Sequence, residues 1–193
     1  MTMRAVLVVA TALVAGCGYG LAGTGTNVPS TARSVSIELF KNHSREKGLE
    51  VAVQRAIERE FLRRGTLAVD AGGGGDLVLS GIIRRFWSVP VAFSGTLDAV
   101  EFQSNLLISV KLTERESGRV LYQNAGLIET TDFAAQSGTV VTASPHFQDD
   151  TLNARDLIDM TNVQLGESRR QTALDDLLGQ VGRDVYLYAL EAF

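Results

Sequence analysis

Cysteine is almost absent. Cys17 is the only one in 193 residues, so no disulfide can close within the chain and a stapled fold is excluded. Histidine is scarce too: His43 and His146 are the only two, and each stands in a stretch that reads as loop. Neither has the company that a zinc site or a Ser-His-Asp triad requires. An excess of positive charge is also lacking. Eighteen basic side chains face 22 acidic ones, a net charge of −4, which excludes a general nucleic-acid binder. Long apolar runs are limited to Ala5–Val14, well short of the ~18 residues that cross a bilayer as a helix. No internal repeat is present. Gly72 to Gly75 is glycine-rich, but no Lys-Ser or Lys-Thr follows it, so it is read as a loose hairpin loop and not a phosphate cradle. Asp175 and Asp176 are neighbours whose side chains point apart on a helix, and Asp149-Asp150 suits a helix N-terminus. With no catalytic constellation, no metal set and no cofactor motif, the chain is read as a non-enzyme.

What is present begins at the N-terminus. Arg4, then the apolar run, then Val14-Ala15-Gly16-Cys17 together read as a secretion signal. The tetrad resembles the lipobox of bacterial lipoproteins, in which the cysteine sulfur takes a diacylglycerol and becomes the new N-terminus. Residues 1–16 are then the signal, Cys17 the lipid attachment site, 17–33 a lipidated tether and 34–193 a single domain. An incidental thiol is the alternative, but an exported chain with one unpaired cysteine needs a reason for it, and acylation supplies one. Each buried methylene adds ~0.8 kcal/mol of membrane affinity. Gly18 stands where an aspartate commonly retains enteric lipoproteins in the inner membrane, which points to the outer membrane, on its periplasmic side.

Beyond the tether, Val35, Ile37 and Leu39 alternate with Ser36 and Glu38, as in a strand with one buried face. Ser44 is placed to cap the next helix. Leu49, Val53, Ala56, Ile57 and Phe61 give Leu49–Arg64 an amphipathic stripe, and Gly65 is placed to stop it. Arg55, Arg59 and Arg63 line another side. Thr66–Val69 is a short strand and Asp76–Val89 a long extended segment whose Leu77, Leu79 and Ile83 share a face. Phe93-Ser94-Gly95-Thr96 is a turn. Phe102, Leu106, Ile108, Val110 and Leu112 alternate with polar residues, as in an antiparallel strand with one wet face. Arg119–Glu129 runs back. Thr130–Gln148 has no periodicity and is read as loop. A helix over Asn153–Leu165 is interrupted at Gly166, and Ser168 with Gln171 forms a capping box. Leu174, Leu177, Leu178, Val181, Val185, Tyr188 and Ala189 make the last apolar stripe. This order predicts an α+β two-layer sandwich, its helices on one face of a mostly antiparallel sheet.

Two clusters suit binding. Phe86, Trp87, Pro90, Val91 and Phe93 gather at a hairpin tip, where they either meet a partner or lipid or fold back over the sheet edge. Arg84 and Arg85 stand beside them. Arginine forks suit phosphate oxygens, and a solvated face is the plainer alternative.

Several segments, in order, resemble the LptE family of lipopolysaccharide-assembly lipoproteins. Cys17-Gly18-Tyr19-Gly20-Leu21 resembles its Cys-Gly-aromatic-x-Leu start, and Val28-Pro29-Ser30-Thr31 stands before the first strand as in that family. The helix closing in Arg63-Arg64-Gly65, the stretch Ala99-Val100-Glu101-Phe102-Gln103, and Glu167–Phe193 with Arg170 and Ala173-Leu174 are similar as well. The resemblance implies two main helices on a four-stranded sheet. It also implies a plug and assembly partner for an LptD-like β-barrel, with lipopolysaccharide as a further ligand and no covalent chemistry. The tip Phe93–Thr96 carries no cation, unlike members that bind lipopolysaccharide there. Competing readings are an activator of a periplasmic cell-wall enzyme and a periplasmic lipid-binding lipoprotein. An activator commonly needs a long linker, and Gly18–Thr31 spans only ~50 Å fully stretched.

Overall fold

The computed structural model describes residues 25–26, 28–95, 99–134 and 154–192, with side chains of 25, 26, 154–167 and 192 left aside. The signal, Cys17, Thr96, His146 and Asp149-Asp150 lie outside the described residues. In chain order the elements are β1 (Gly25–Thr26), β2 (Ser34–Ile37), β3 (Lys41–Asn42), α1 (Leu49–Arg64), β4 (Ala68–Val69), β5 (Leu77–Phe93), β6 (Ala99–Glu114), β7 (Val120–Ala134), α2 (Ala154–Leu190) and β8 (Glu191–Ala192).

The α+β class holds, but the sheet is not the expected four-stranded antiparallel one. It has six strands in the order β4-β2-β5-β6-β7, with β3 also on β5. The β5-β6-β7 part is antiparallel, whereas β2 pairs in parallel with β4 and β5, and β3 in parallel with β5. Parallel pairing needs a crossover connection, and α1 supplies it between β2 and β4. Within the stretch read as tether, Gly25–Thr26 pairs antiparallel with Glu191–Ala192.

The glycine loop is not a hairpin, because the strands it joins lie parallel on opposite sides of β2. Nor is it loose: the Asp70 carboxylate accepts from Gly72 N and Gly74 N, each at 2.8 Å. The loop then passes against β2, where Gly75 N donates to Ser36 Oγ at 2.8 Å. A Cβ at Gly75 would meet Ser36 N at 2.7 Å, so only glycine fits. This crossing explains why Ser36 is buried although it points away from the core. At the start of β5, Asp76 accepts from the amides of Arg33 (2.8 Å) and Ser34 (3.0 Å) and from Ser34 Oγ. Those donors hold its carboxyl below the usual range.

The α1 stripe is buried as its spacing predicts, and Gly65 closes the helix with φ 68° and a bond to Phe61 O at 2.9 Å. Ser44 does not cap it. The N-cap is Gly48, and Ser44 instead turns its amide and hydroxyl onto Asn42 Oδ1. Glu60 is a buried charge that periodicity did not flag. Arg63 forks onto it at 2.6 and 2.9 Å and Arg64 joins at 2.8 Å. Hydrogen bonds from Arg63 first, then Arg64, hold its carboxyl at about 2 against the opposing effect of burial. The expected Arg55-Arg59-Arg63 stripe therefore loses Arg63 to the helix's own end.

One core cluster runs from Val35 to Leu190 between the helices and one sheet face. Each large side chain buried there contributes ~1.5–3 kcal/mol. Leu39 is not in it. Strand β2 ends at Ile37, so Leu39 is 55% exposed and Phe40 takes the inward place. Helix α2 is continuous from Ala154. Gly166 does not interrupt it, since one helical glycine costs only ~1 kcal/mol, and Ser168 O accepts from Thr172 Oγ1 as helix interior. Its stripe is buried except Tyr188, 39% exposed. Tyr186 is inward instead, because Gly182 and Tyr186, one turn apart, face α1. A Cβ at Gly182 would sit 2.7 Å from Ala56 O. The Tyr186 ring meets Phe61 edge-on at 5.0 Å, its hydroxyl meets Thr66 Oγ1 at 2.5 Å, and the Arg64 guanidinium covers it at 5.0 Å. Strand β7 runs on to Ala134 where loop was expected. Ladder pairing with β6 holds Thr130–Ala134, and Phe133 stacks on Phe102 at 5.7 Å.

Candidate functional site

Among the described residues, the helices cover one face of the sheet and leave the other bare. The side chains presented there follow from the two-residue period of a strand and from one irregularity. Along β5, Leu77, Leu79 and Ile83 face the core. Ile83 pairs with Ile108, but Arg85 pairs with Leu107, so Arg84 is an extra residue in a β-bulge. A bulge lets two consecutive side chains leave on one side. Arg84 Nε bonds Ser109 Oγ, and the Arg85 guanidinium lies over the Trp87 ring at 4.7 Å. Both arginines are thus on the bare face and exposed.

The bulge also resets the alternation. Phe86, opposite Leu106, turns inward and packs against the core. The expected cluster is therefore divided: Arg84, Arg85 and Trp87 share the bare face, Phe86 lies on the other, and Phe93 stands 56% exposed at the far end of β5. Pairing arranges the bare face in rows. Arg85, Leu107 and Ile128 form one, then Trp87, Asn105 and Thr130, then Val89, Gln103 and Asp132. Ile128 is 54% exposed, and Val89 and Val91 are exposed as well.

Toward the base of the same face lies a shallow concavity of about 370 Å³ lined by Glu38, Lys41, Ile82, Arg84, Ser109 and Lys111 among others. Glu38 is its one acidic lining residue among the described residues. None of Lys41, Arg84, Arg85 and Lys111 joins the ion pairs seen among the described residues. Four cations thus border an apolar band of Trp87, Leu107, Ile128 and Val89. Lys111 was legible as a wet-face position in the β6 alternation. Lys41 carried no such signal, because only the parallel β3-β5 pairing brings it beside Ile82. His43 is exposed, and its amide donates to Ile83 O. No group of three or more potential metal ligands occurs among the described residues, and no described helix is long and apolar enough to cross a membrane.

Solved structures show only remote likeness to this chain. Lipoprotein B of Nitrosomonas europaea is 13% identical, with 89% of this chain and 92% of that one covered and a TM-score of 0.46. A minor lipoprotein of Acinetobacter baumannii is 12% identical over 83% and 98%, at 0.43. The PelC dodecamer of Paraburkholderia phytofirmans is 11% identical over 88% and 96%, also at 0.43. Identities this low carry no function across. No curated protein sequence matches the chain. The LptE family model, described as lipopolysaccharide-assembly, matches residues 32–188, from just before β2 to near the end of α2. By that match the chain belongs to the LptE lipopolysaccharide-assembly family.

Proposed function

We propose that this chain is an outer-membrane lipoprotein, anchored through lipidated Cys17, that lodges in an LptD-like β-barrel and supports lipopolysaccharide transport through it. Family membership supports the setting. The observation that carries the reading is the bare face of the β5-β6-β7 ribbon, where Trp87, Leu107 and Ile128 adjoin Arg84, Arg85, Lys41 and Lys111. An apolar band buries against a protein wall or acyl chains, and arginine forks beside it match phosphate oxygens. The role needs no covalent step, so the chain acts by contact alone.

Affinity purification of the tagged chain from detergent-solubilised outer membranes tests this. One large β-barrel protein recovered in equal amount supports it. Recovery of cell-wall synthases, or of no partner, overturns it and favours the activator or lipid-carrier readings. Trp87→Asp should lower barrel recovery at least about fivefold. Because Trp87 lies outside the core cluster, Tm should move by less than about 4 °C, equivalent to roughly 1 kcal/mol in a domain of this size. A large fall in Tm would instead make the ring a fold element.

A further inference from the structure

The chain ahead of β2 is fastened to the domain at successive places. Gly25 and Thr26 pair with Glu191 and Ala192, directly after the end of α2. Val28 and Ala32 pack against the core. The amides of Arg33 and Ser34 donate to Asp76 at 2.8 and 3.0 Å, and Arg33 O accepts from Ala68 N at 2.9 Å. These contacts lie at one end of the molecule. Thr66, just before β4, meets Tyr186 near the end of α2, and Asp76 O accepts from Arg115 N in the β6-β7 turn at 2.8 Å. The ends of both helices, the starts of β2 and β5 and the β6-β7 turn therefore form a common base. At the opposite end is the tip of β5 and β6, where Phe93 pairs with Ala99. Strand β5 is 17 residues long, so at ~3.3 Å per residue the tip stands ~50 Å from the base. Of the stretch read as tether, only the eight steps from Cys17 to Gly25 precede the first of these fastenings. They reach ~28 Å at most.

We propose that this fastening makes the base the membrane-facing surface: the lipid on Cys17 is held on so short a leash that the domain stands base-down on the phospholipid headgroups of the anchoring leaflet, with the β5-β6 tip pointing away. The inference rests on the lipidation of Cys17. Magnitudes decide the pose. A leash of ~28 Å cannot bring the lipid level with a tip ~50 Å away, whereas a tether open as far as Arg33 would reach ~56 Å and permit either pose. A flexible chain of this length spans only ~16 Å on average, which keeps the base close to the headgroups. The chemistry of the base suits that neighbour. Arg115 and Arg119 stand there with Asp76, Glu114 and Glu116, charges of both signs like those of a zwitterionic headgroup. Val120, at the start of β7, is 48% exposed beside them. The long axis of the bare face then runs away from the anchoring leaflet, whatever that face binds.

The test places the full-length chain in vesicles of phosphatidylethanolamine and phosphatidylglycerol, with a fluorophore on Glu116→Cys at the base or on Gly95→Cys at the tip. Lipid spin-labelled at the headgroup is the quencher. Glu116 is exposed, and a Cβ at Gly95 meets nothing within 4 Å. The sulfur of an acylated Cys17 is a thioether, so the dye takes only the introduced thiol. Because the leash ends ~20 Å short of the tip, quenching at the base should exceed quenching at the tip at least about threefold. Inserting about twenty Gly and Ser residues after Gly18 leaves every described contact in place and lets the lipid reach past either end, so the contrast should vanish. A contrast that survives the insertion would overturn the leash as its cause. The mass of the purified chain separates the two readings. A chain without the diacylglyceryl group overturns the anchor and this proposal with it. A lipidated chain quenched equally at both ends, or more at the tip, overturns this proposal alone.

Discussion

At the scale of single residues, the side chains that matter most are charged groups in contact with packed elements. Glu60 is one. It gathers Arg63 and Arg64 at the end of α1, and Arg64 in turn lies over Tyr186 of α2. The pair Arg63-Arg64 before Gly65, a family-like ending by sequence, therefore neutralises a buried acid where the two helices meet. Glu60→Gln should cost about 1 kcal/mol at pH 7, since the arginines are partly exposed and the pairs are screened. That is a fall in Tm of about 2–4 °C. The carboxyl is held down at about 2, so its contribution is complete above its ordinary value of 4.5 and is lost as pH falls toward 2. The difference in Tm between wild type and variant should accordingly shrink below pH 4.5. A gap that persists undiminished down to about pH 2 would mean that lost packing, not charge, accounts for the cost.

At the scale of elements, the bulge in β5 decides what each face carries. Without an extra residue the two-residue period would put Arg84 and Arg85 on opposite sides. With it, both arginines are outward and Phe86 is inward. Pairing on either side of Arg84 is self-consistent: Ile83 meets Ile108, and Arg85 meets Leu107. Deleting Arg84 should therefore leave the strand in register, with every later side chain on its present face. Such a chain should unfold cooperatively within about 2 kcal/mol of the parent, inside the ~0.5–3 kcal/mol that most single changes cost, and lose one cation from the concavity. Collapse of the folded state would show that the bend made by the bulge, and not the arginine, is what the ribbon needs. The same scale explains the length of α2. Its backbone runs unbroken through Gly166, where one helical glycine costs only ~1 kcal/mol, and its later turns pack along β7 and α1.

At the scale of the whole molecule, family membership covers the folded part, from just before β2 to near the end of α2, and the N-terminal features stand outside it. The fully buried core begins at Val35, with Val28 and Ala32 packed against it. With Cys17 as the proposed anchor, Cys17→Ala should release the protein from the outer membrane while leaving its unfolding cooperative and its Tm within about 2 °C, since the family-matched part of the chain begins at residue 32. Membrane fractionation beside a melting curve checks both halves. A broad, non-cooperative melt would tie the N-terminal segment to the fold, and the β1-β8 pairing at Gly25–Thr26 would then be the contact that ties it.

Local pattern alone determined the elements whose period is self-contained. The α1 stripe with its Gly65 stop, the Leu77-Leu79-Ile83 face and the long β6 alternation are all written in spacing, because burial of one face selects apolar residues at a fixed period. Arg84-Arg85 beside Trp87 stood out by composition alone, since the strand period would place the two arginines on opposite faces. Other features depended on partners distant in sequence. The parallel pairing of β2 and β3 requires the α1 crossover, and it alone brings Lys41 beside Ile82. Which aromatic of the Phe86-Trp87 pair faces the core follows from one residue's slip against β6. Glu129 is an ordinary strand carboxylate by sequence, and only the packing of α2 over β7 buries it. Periodicity reports which side a residue faces within its own element. What lies on that side is a property of tertiary packing, and the chemistry of Lys41, Phe86 and Glu129 was decided there.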